Sequence, residues 1–125
     1  MTGRTGNRKL LPLALFSISL FAATACHSFH IDTDIVNHTG SAIQLLEVDY
    51  PSASFGVDHL DTGAVYHYRF QVRGSGLLIL QYTGANGQQV HISGPMLAEH
   101  EQGQLQIVLL PGARAEFHPQ LTAQP

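Results

Sequence analysis

The chain predicts an all-β domain, a β-sandwich of about seven short strands. Three observations carry this expectation. After residue 30, apolar and polar residues alternate over long stretches, the period of a half-buried strand. Clusters of Gly, Pro, Asn and Ser return at roughly 10-residue intervals, as turns between strands do. No segment of that region sustains the apolar spacing of a long amphipathic helix.

Taken in order, Phe29, Ile31, Thr33 and Ile35 alternate with His30, Asp32 and Asp34, which predicts a first strand. Asn37-His38-Thr39-Gly40-Ser41 is a turn cluster; its Asn37-His38-Thr39 also spells a glycosylation sequon. Ala42 to Tyr50 forms the second strand, with Leu46, Val48 and Tyr50 on one face and Glu47 and Asp49 on the other. Ile43 and Leu45 break the alternation, so a bulge or two-sided burial is expected at its start. Pro51 to Gly56 reads as a small-residue connection anchored by Phe55. A turn over His59 to Gly63 then feeds the clearest strand, in which Tyr66, Tyr68, Phe70 and Val72 share a face against His67, Arg69 and Gln71.

Gly74-Ser75-Gly76 turns the chain into Leu77 to Tyr82, apolar on both faces and so expected at the centre of its sheet. Asn86-Gly87 is the strongest hairpin signal, because both residues accept positive φ cheaply. It leads to a strand over Gln89 to Ile92, broken by Gly94-Pro95. Met96 to Glu101 is expected as one helical turn closed by Gly103. Leu105 to Leu110 is a strand stopped by Pro111-Gly112, and Ala113 to His118 adds a short edge strand. An up-and-down or Greek-key barrel is the alternative architecture.

The first 26 residues have a different composition. Arg4, Arg8 and Lys9 precede an apolar run from Leu10 that ends in Ala23-Thr24-Ala25-Cys26. A basic start, an apolar core of about 13 residues and a small-residue exit are the parts of an export signal. The run is shorter than the roughly 20 residues a membrane-spanning helix needs. The expected organisation is a signal over 1–25, a tether over 26–30, the sandwich over 31–118 and a flexible tail over 119–125.

The Ala23-Thr24-Ala25-Cys26 exit resembles the lipobox of bacterial lipoproteins, with Ala23 where leucine is usual. The resemblance implies that Cys26, the only cysteine, is lipidated and becomes the first mature residue. It further implies a periplasm-facing envelope protein held to a membrane by its lipid. Ordinary cleavage after Ala23-Thr24-Ala25 is the competing exit. A lone unpaired thiol in an exported protein favours lipidation. Separately, the Leu60-Asp61-Thr62-Gly63-Ala64-Val65-Tyr66 lead-in resembles the turn-plus-strand of immunoglobulin-like exported modules. It implies an immunoglobulin-like β-sandwich without the cysteine pair and tryptophan of true immunoglobulin domains.

Charge narrows the function classes. Beyond residue 26 three arginines stand against nine carboxylates, a net charge of −6 with histidines neutral. Such a field repels nucleic acid, and no basic stripe offsets it. All eight histidines also lie there. Imidazole suits copper and zinc, so a metal reading places His30 and Asp32 on one strand face with His67 or His91 joining from a neighbour. No two-histidine helical motif or Cys/His spacing accompanies them. Glu47 and Asp49 are expected as a solvated acidic face rather than an acid–base pair. Gly74-Ser75-Gly76 is a turn rather than a nucleophile elbow. With no catalytic constellation and no cofactor-binding loop, the expected role is a non-catalytic binding or accessory module with an envelope protein as partner. Histidine-mediated copper or zinc binding is the alternative.

Overall fold

A computed structural model of the protein describes residues 28–123; the signal segment, Cys26 and the start of the tether lie outside them. The described residues form eight strands and no helix: β1 (Ile31–Asn37), β2 (Ile43–Tyr50), β3 (Ala53–Leu60), β4 (Val65–Phe70), β5 (Gly76–Thr83), β6 (Gln89–Leu97), β7 (Glu101–Leu110) and β8 (Arg114–Ala123). They make two four-stranded sheets, ordered β4-β1-β7-β8 and β3-β2-β5-β6. β1 and β7 run parallel, and every other neighbour pair is antiparallel. Hairpins β2–β3, β5–β6 and β7–β8 stay within a sheet, and the remaining links cross between sheets. The result is a β-sandwich.

Alternation predicts which face each strand buries, and the burial follows it. Ile31, Thr33, Ile35 and Asn37 of β1 point inward, as do Leu46 and Val48 of β2 and Leu105, Ile107 and Leu109 of β7. Leu78, Leu80 and Tyr82 of β5 close over them from the second sheet. This core of apolar side chains drawn from both sheets removes hydrocarbon from water and supplies the main driving force.

Two polar side chains are buried with it. The Thr33 hydroxyl donates to the Leu105 carbonyl at 2.8 Å, across the parallel β1–β7 pair. Asn37, at the end of β1, has no exposed surface. Its Nδ2 donates to the carbonyls of Ser41 (2.8 Å), Leu60 (3.0 Å) and Asp61 (3.1 Å). Its Oδ1 accepts from the Thr39 amide (3.0 Å) and hydroxyl (2.7 Å). Two N–H groups serve three carbonyls, so one bond is shared. The sequon residue is thus a structural tie between the β1–β2 and β3–β4 turns.

One open side of the sandwich, between β3 and β4, is sealed by aromatics. Phe55 stacks on Tyr68 at 4.2 Å between ring centroids and meets Phe70 at 5.3 Å, while Tyr50 meets Phe70 at 4.5 Å. The Tyr66 hydroxyl donates to the Gly56 carbonyl at 3.0 Å. Burial pushes the Tyr50 and Tyr66 phenols above their ordinary value, and Tyr68 beside them adds to it. The other side, between β6 and β8, is sealed by Phe117. Its ring fills the space beside Gly94, where an added Cβ would lie 2.9 Å from it.

Several boundaries differ from the expectation. Eight strands form instead of about seven, because Ala53 onward pairs with β2 as a full strand with Phe55 facing the core. Gly94-Pro95 does not end β6; the pair occupies a bulge on an edge strand, where a missing N–H breaks no ladder bond. The helical turn expected over Met96 to Glu101 is absent: β6 runs to Leu97 and β7 starts at Glu101. Gly103, at φ 135°, lies within β7 and lets the Gln120 carbonyl approach its backbone. The expected tail over 119–125 is paired with β7 as far as Ala123, so the domain extends past His118. β5 is central in its sheet, but its outer face is open, with Leu77 49% exposed.

Replacing Asn37 by Ala would leave buried carbonyls without donors, and the expected loss of stability is about 2–4 kcal/mol. Asn37→Asp should cost more at neutral pH, since a carboxylate would face those carbonyl oxygens with no hydrogen to give. Urea unfolding of the two variants against wild type checks both.

Candidate functional site

The residues singled out for metal binding are not brought together. His67 sits on β4 and pairs through Nδ1 with Asp34 on β1, one register step from the expected Asp32. Asp32 instead faces Arg69, 3.5 Å from its Nε. His30 lies just before β1, with Gln71 at 3.5 Å from its Nε2. His91 is on β6, in the opposite sheet. The reason is topological: β4 and β1 are neighbours, whereas β6 belongs to the layer beyond the core. Among the described residues no group of three His, Cys, Asp or Glu side chains is placed to hold a metal ion. Two further imidazole–carboxylate pairs, His59–Asp61 at 2.5 Å and His118–Glu116 at 3.4 Å, are exposed, and exposed pairs contribute at most about 1 kcal/mol.

A different surface is unusual, the outer face of the β2–β3–β5–β6 sheet around Leu45. Among the described residues three non-glycine positions have positive φ: His100 and Ala113 lie in turns, while Leu45, at φ 52°, lies inside a strand. It marks a bulge, where the register of β2 against β5 shifts between Gln44 and Glu47. This is the break in alternation at Ile43 and Leu45 noted in the sequence, resolved as a bulge that sends Ile43 inward and Leu45 outward. Leu45 is 62% exposed.

The bulge also imposes a requirement on β3. It directs the Leu46 carbonyl at Gly56, where any Cβ would collide with that oxygen. A glycine is therefore needed at 56, and the same residue's own carbonyl accepts the Tyr66 hydroxyl. The distorted strand is in this way coupled to the aromatic seam. The alternation break was the only sequence signal of this site; the partnership with Gly56 left none, because it depends on strand register.

Two shallow recesses flank Leu45. One is lined by Glu47, Gln81, Gln89 and His91, with Gln81 donating to the Glu47 carboxylate. The other runs along β3 past Ser54, Gly56, Val57 and Asp58. Glu47 and Asp49 share the outer face, as alternation requires. Asp49 is half-buried; its burial first, and the Glu47 charge second, raise its carboxyl above the ordinary 3.8. The surface thus offers a protruding apolar side chain between polar hydrogen-bonding groups, which suits contact with another chain better than bond chemistry.

No protein-family model and no curated protein sequence matches the chain. Among solved structures it is similar to an NMR structure of a protein from Eubacterium rectale, with a TM-score of 0.53 and 12% identity over 73% of this chain and 88% of that one. At that identity the likeness concerns the fold alone.

The raised Asp49 carboxyl makes a pH prediction. The folded state holds this proton more tightly than the unfolded chain, so stability falls as pH rises from near 3.8 through the folded-state value. Asp49→Asn removes the ionisation. Its melting temperature should exceed that of wild type at pH 7, with the gain shrinking to nothing below pH 3.8, as thermal unfolding followed by circular dichroism would show.

Proposed function

We propose that the chain is an exported lipoprotein, anchored through Cys26 and facing the periplasm, that serves as a non-catalytic binding or accessory module for an envelope protein. The Leu45 surface is its contact site. The observation that carries the reading is a bulky residue in the left-handed region inside a strand, with its side chain in water. Such a conformation costs about 1–3 kcal/mol. Burial of Leu45 against a partner would add to what the surrounding sheets contribute in holding it there.

The Leu10 to Cys26 segment supports the anchor, through its apolar run and its small-residue exit at a single cysteine. In architecture we group the domain with immunoglobulin-like modules. Two packed, hairpin-rich sheets joined by repeated crossings support the grouping, although β1 pairs parallel with β7 and the strands number eight. Strand addition at a sheet edge, the usual device of such modules, has less room on β6 and β8, which carry Pro95 and Pro119. That directs binding toward the β2–β3 face.

A photoreactive residue at position 45, activated in intact envelopes, should yield an adduct with a second protein, and Leu45→Asp should weaken co-purification of that protein about tenfold or more. Recovery of free monomer alone would overturn the binding reading. For the anchor, Cys26→Ala should move the protein from the membrane to the soluble fraction; a wild-type mature N-terminus without acyl groups would point instead to ordinary cleavage after Ala25.

A further inference from the structure

The end of the sandwich at which β1 begins gathers residues from four chain segments. Phe29 packs on His100 at 5.1 Å, and the His100 amide lies 3.5 Å from the Val72 carbonyl. The Arg73 amide bonds to the Ser52 hydroxyl at 3.2 Å, and the Glu99 amide to the Ser75 hydroxyl at 3.2 Å. Pro51 lies against Gly76. On this same end Leu77 and Met96 face each other across β5 and β6, 49% and 64% exposed. An exposed cross-strand Leu–Met pair gains nothing from water.

We propose that this end, led by Leu77 and Met96, rests against the surface of a phospholipid bilayer. The inference depends on the Cys26 anchor proposed above. The occupant follows from where the chain leaves the domain. His30 is held to β7 by the Gly103 amide at 3.1 Å, and Phe29 is held by His100. Only His27 and Ser28 lie between Phe29 and the lipid-bearing position, a reach of about 10 Å even when fully extended. An anchor so short holds this end, and no other, at the headgroup layer.

Charge does not drive the contact. Of the three arginines beyond residue 26, Arg69 and Arg73 lie at this end, and both are exposed. Asp32, Asp49, Glu99 and Glu101 lie there too, so this end is net acidic: Asp32 is engaged with Arg69, and Glu101 keeps its charge while accepting from the Ala98 amide. Asp58, Asp61 and Glu116 lie toward the opposite end. The contact is therefore apolar first, with Arg73 placed to meet a headgroup phosphate. It also leaves the Leu45 surface, farther along β2, clear of the membrane.

The test uses the full chain, expressed and processed in a bacterium and reconstituted into vesicles of phosphatidylethanolamine and phosphatidylglycerol. Nitroxide labels are placed at Met96→Cys, at Leu77→Cys and, as a far-end control, at Val65→Cys. The ratio of oxygen to water-soluble nickel-chelate accessibility should be at least about threefold higher at 96 and 77 than at 65, as for side chains seated in the headgroup boundary. Equal ratios in protein that carries acylated Cys26 and floats with the vesicles would overturn the docking and leave the anchor standing. Protein without acyl groups that stays with the aqueous fraction would overturn both. All three label positions are solvent-exposed, so the substitutions leave the core intact.

Discussion

The amide of Asn37 joins parts of the fold that no strand pairing joins. Its side chain ties the β1–β2 turn to the end of β3 and the turn beyond it. Its backbone adds two more links, donating to Ala64 and accepting from Gly63. The next amide, His38, bonds to Leu109 at the end of β7. One buried polar residue therefore brings the far end of both sheets into register. The core above it is apolar and non-directional, and would tolerate small slips of one sheet over the other. A carboxamide with every partner in place does not, because each misplaced carbonyl would stay buried without a donor.

The opposite end and the outer faces are less constrained, and there the features that suggest function collect. The Leu45 bulge is accommodated only because residue 56 lacks a side chain, and Gly56 is in turn held by Tyr66 across the aromatic seam. A strained position survives when its surroundings over-determine it. Here those surroundings belong to both sheets, so the bulge is a property of the whole sandwich rather than of β2. The end where β1 begins is different again: it holds the exposed apolar side chains Leu77 and Met96. The proposed partner surface and the proposed membrane surface are thus separated along the length of the sheets.

Much of this was legible in residue order. The inward sets of β1 and β2 could be read from period-2 alternation, and Asn86-Gly87 marks the β5–β6 hairpin, with Gly87 at φ 79°. The bulge was signalled by Ile43 and Leu45 out of phase. Prolines and glycines misled in both directions. Gly94-Pro95 and Gly103 read as breaks but sit in continuous strands, because edge position and close backbone approach accommodate them. Pro51 to Gly56 read as a loop because its residues are small, yet pairing with β2 decides its conformation. Residue order likewise did not reveal that His91 lies in the sheet opposite His30 and His67.

By itself the sequence determined the all-β class, the inward faces of β1 and β2, the acidic balance beyond residue 26 and the apolar run that ends at Cys26. These rest on local periodicity and composition, which a chain carries wherever it folds. Only the tertiary structure decided that β1 would pair parallel with β7, that His67 would meet Asp34 while His91 lay in the opposite sheet, that Asn37 would serve three carbonyls, and that Leu45 would project beside an obligatory glycine. Each of these brings together residues far apart in the chain, and which of them meet is set by the order of strands in the sheets. Alternation says which way a side chain points, and strand order says what it meets.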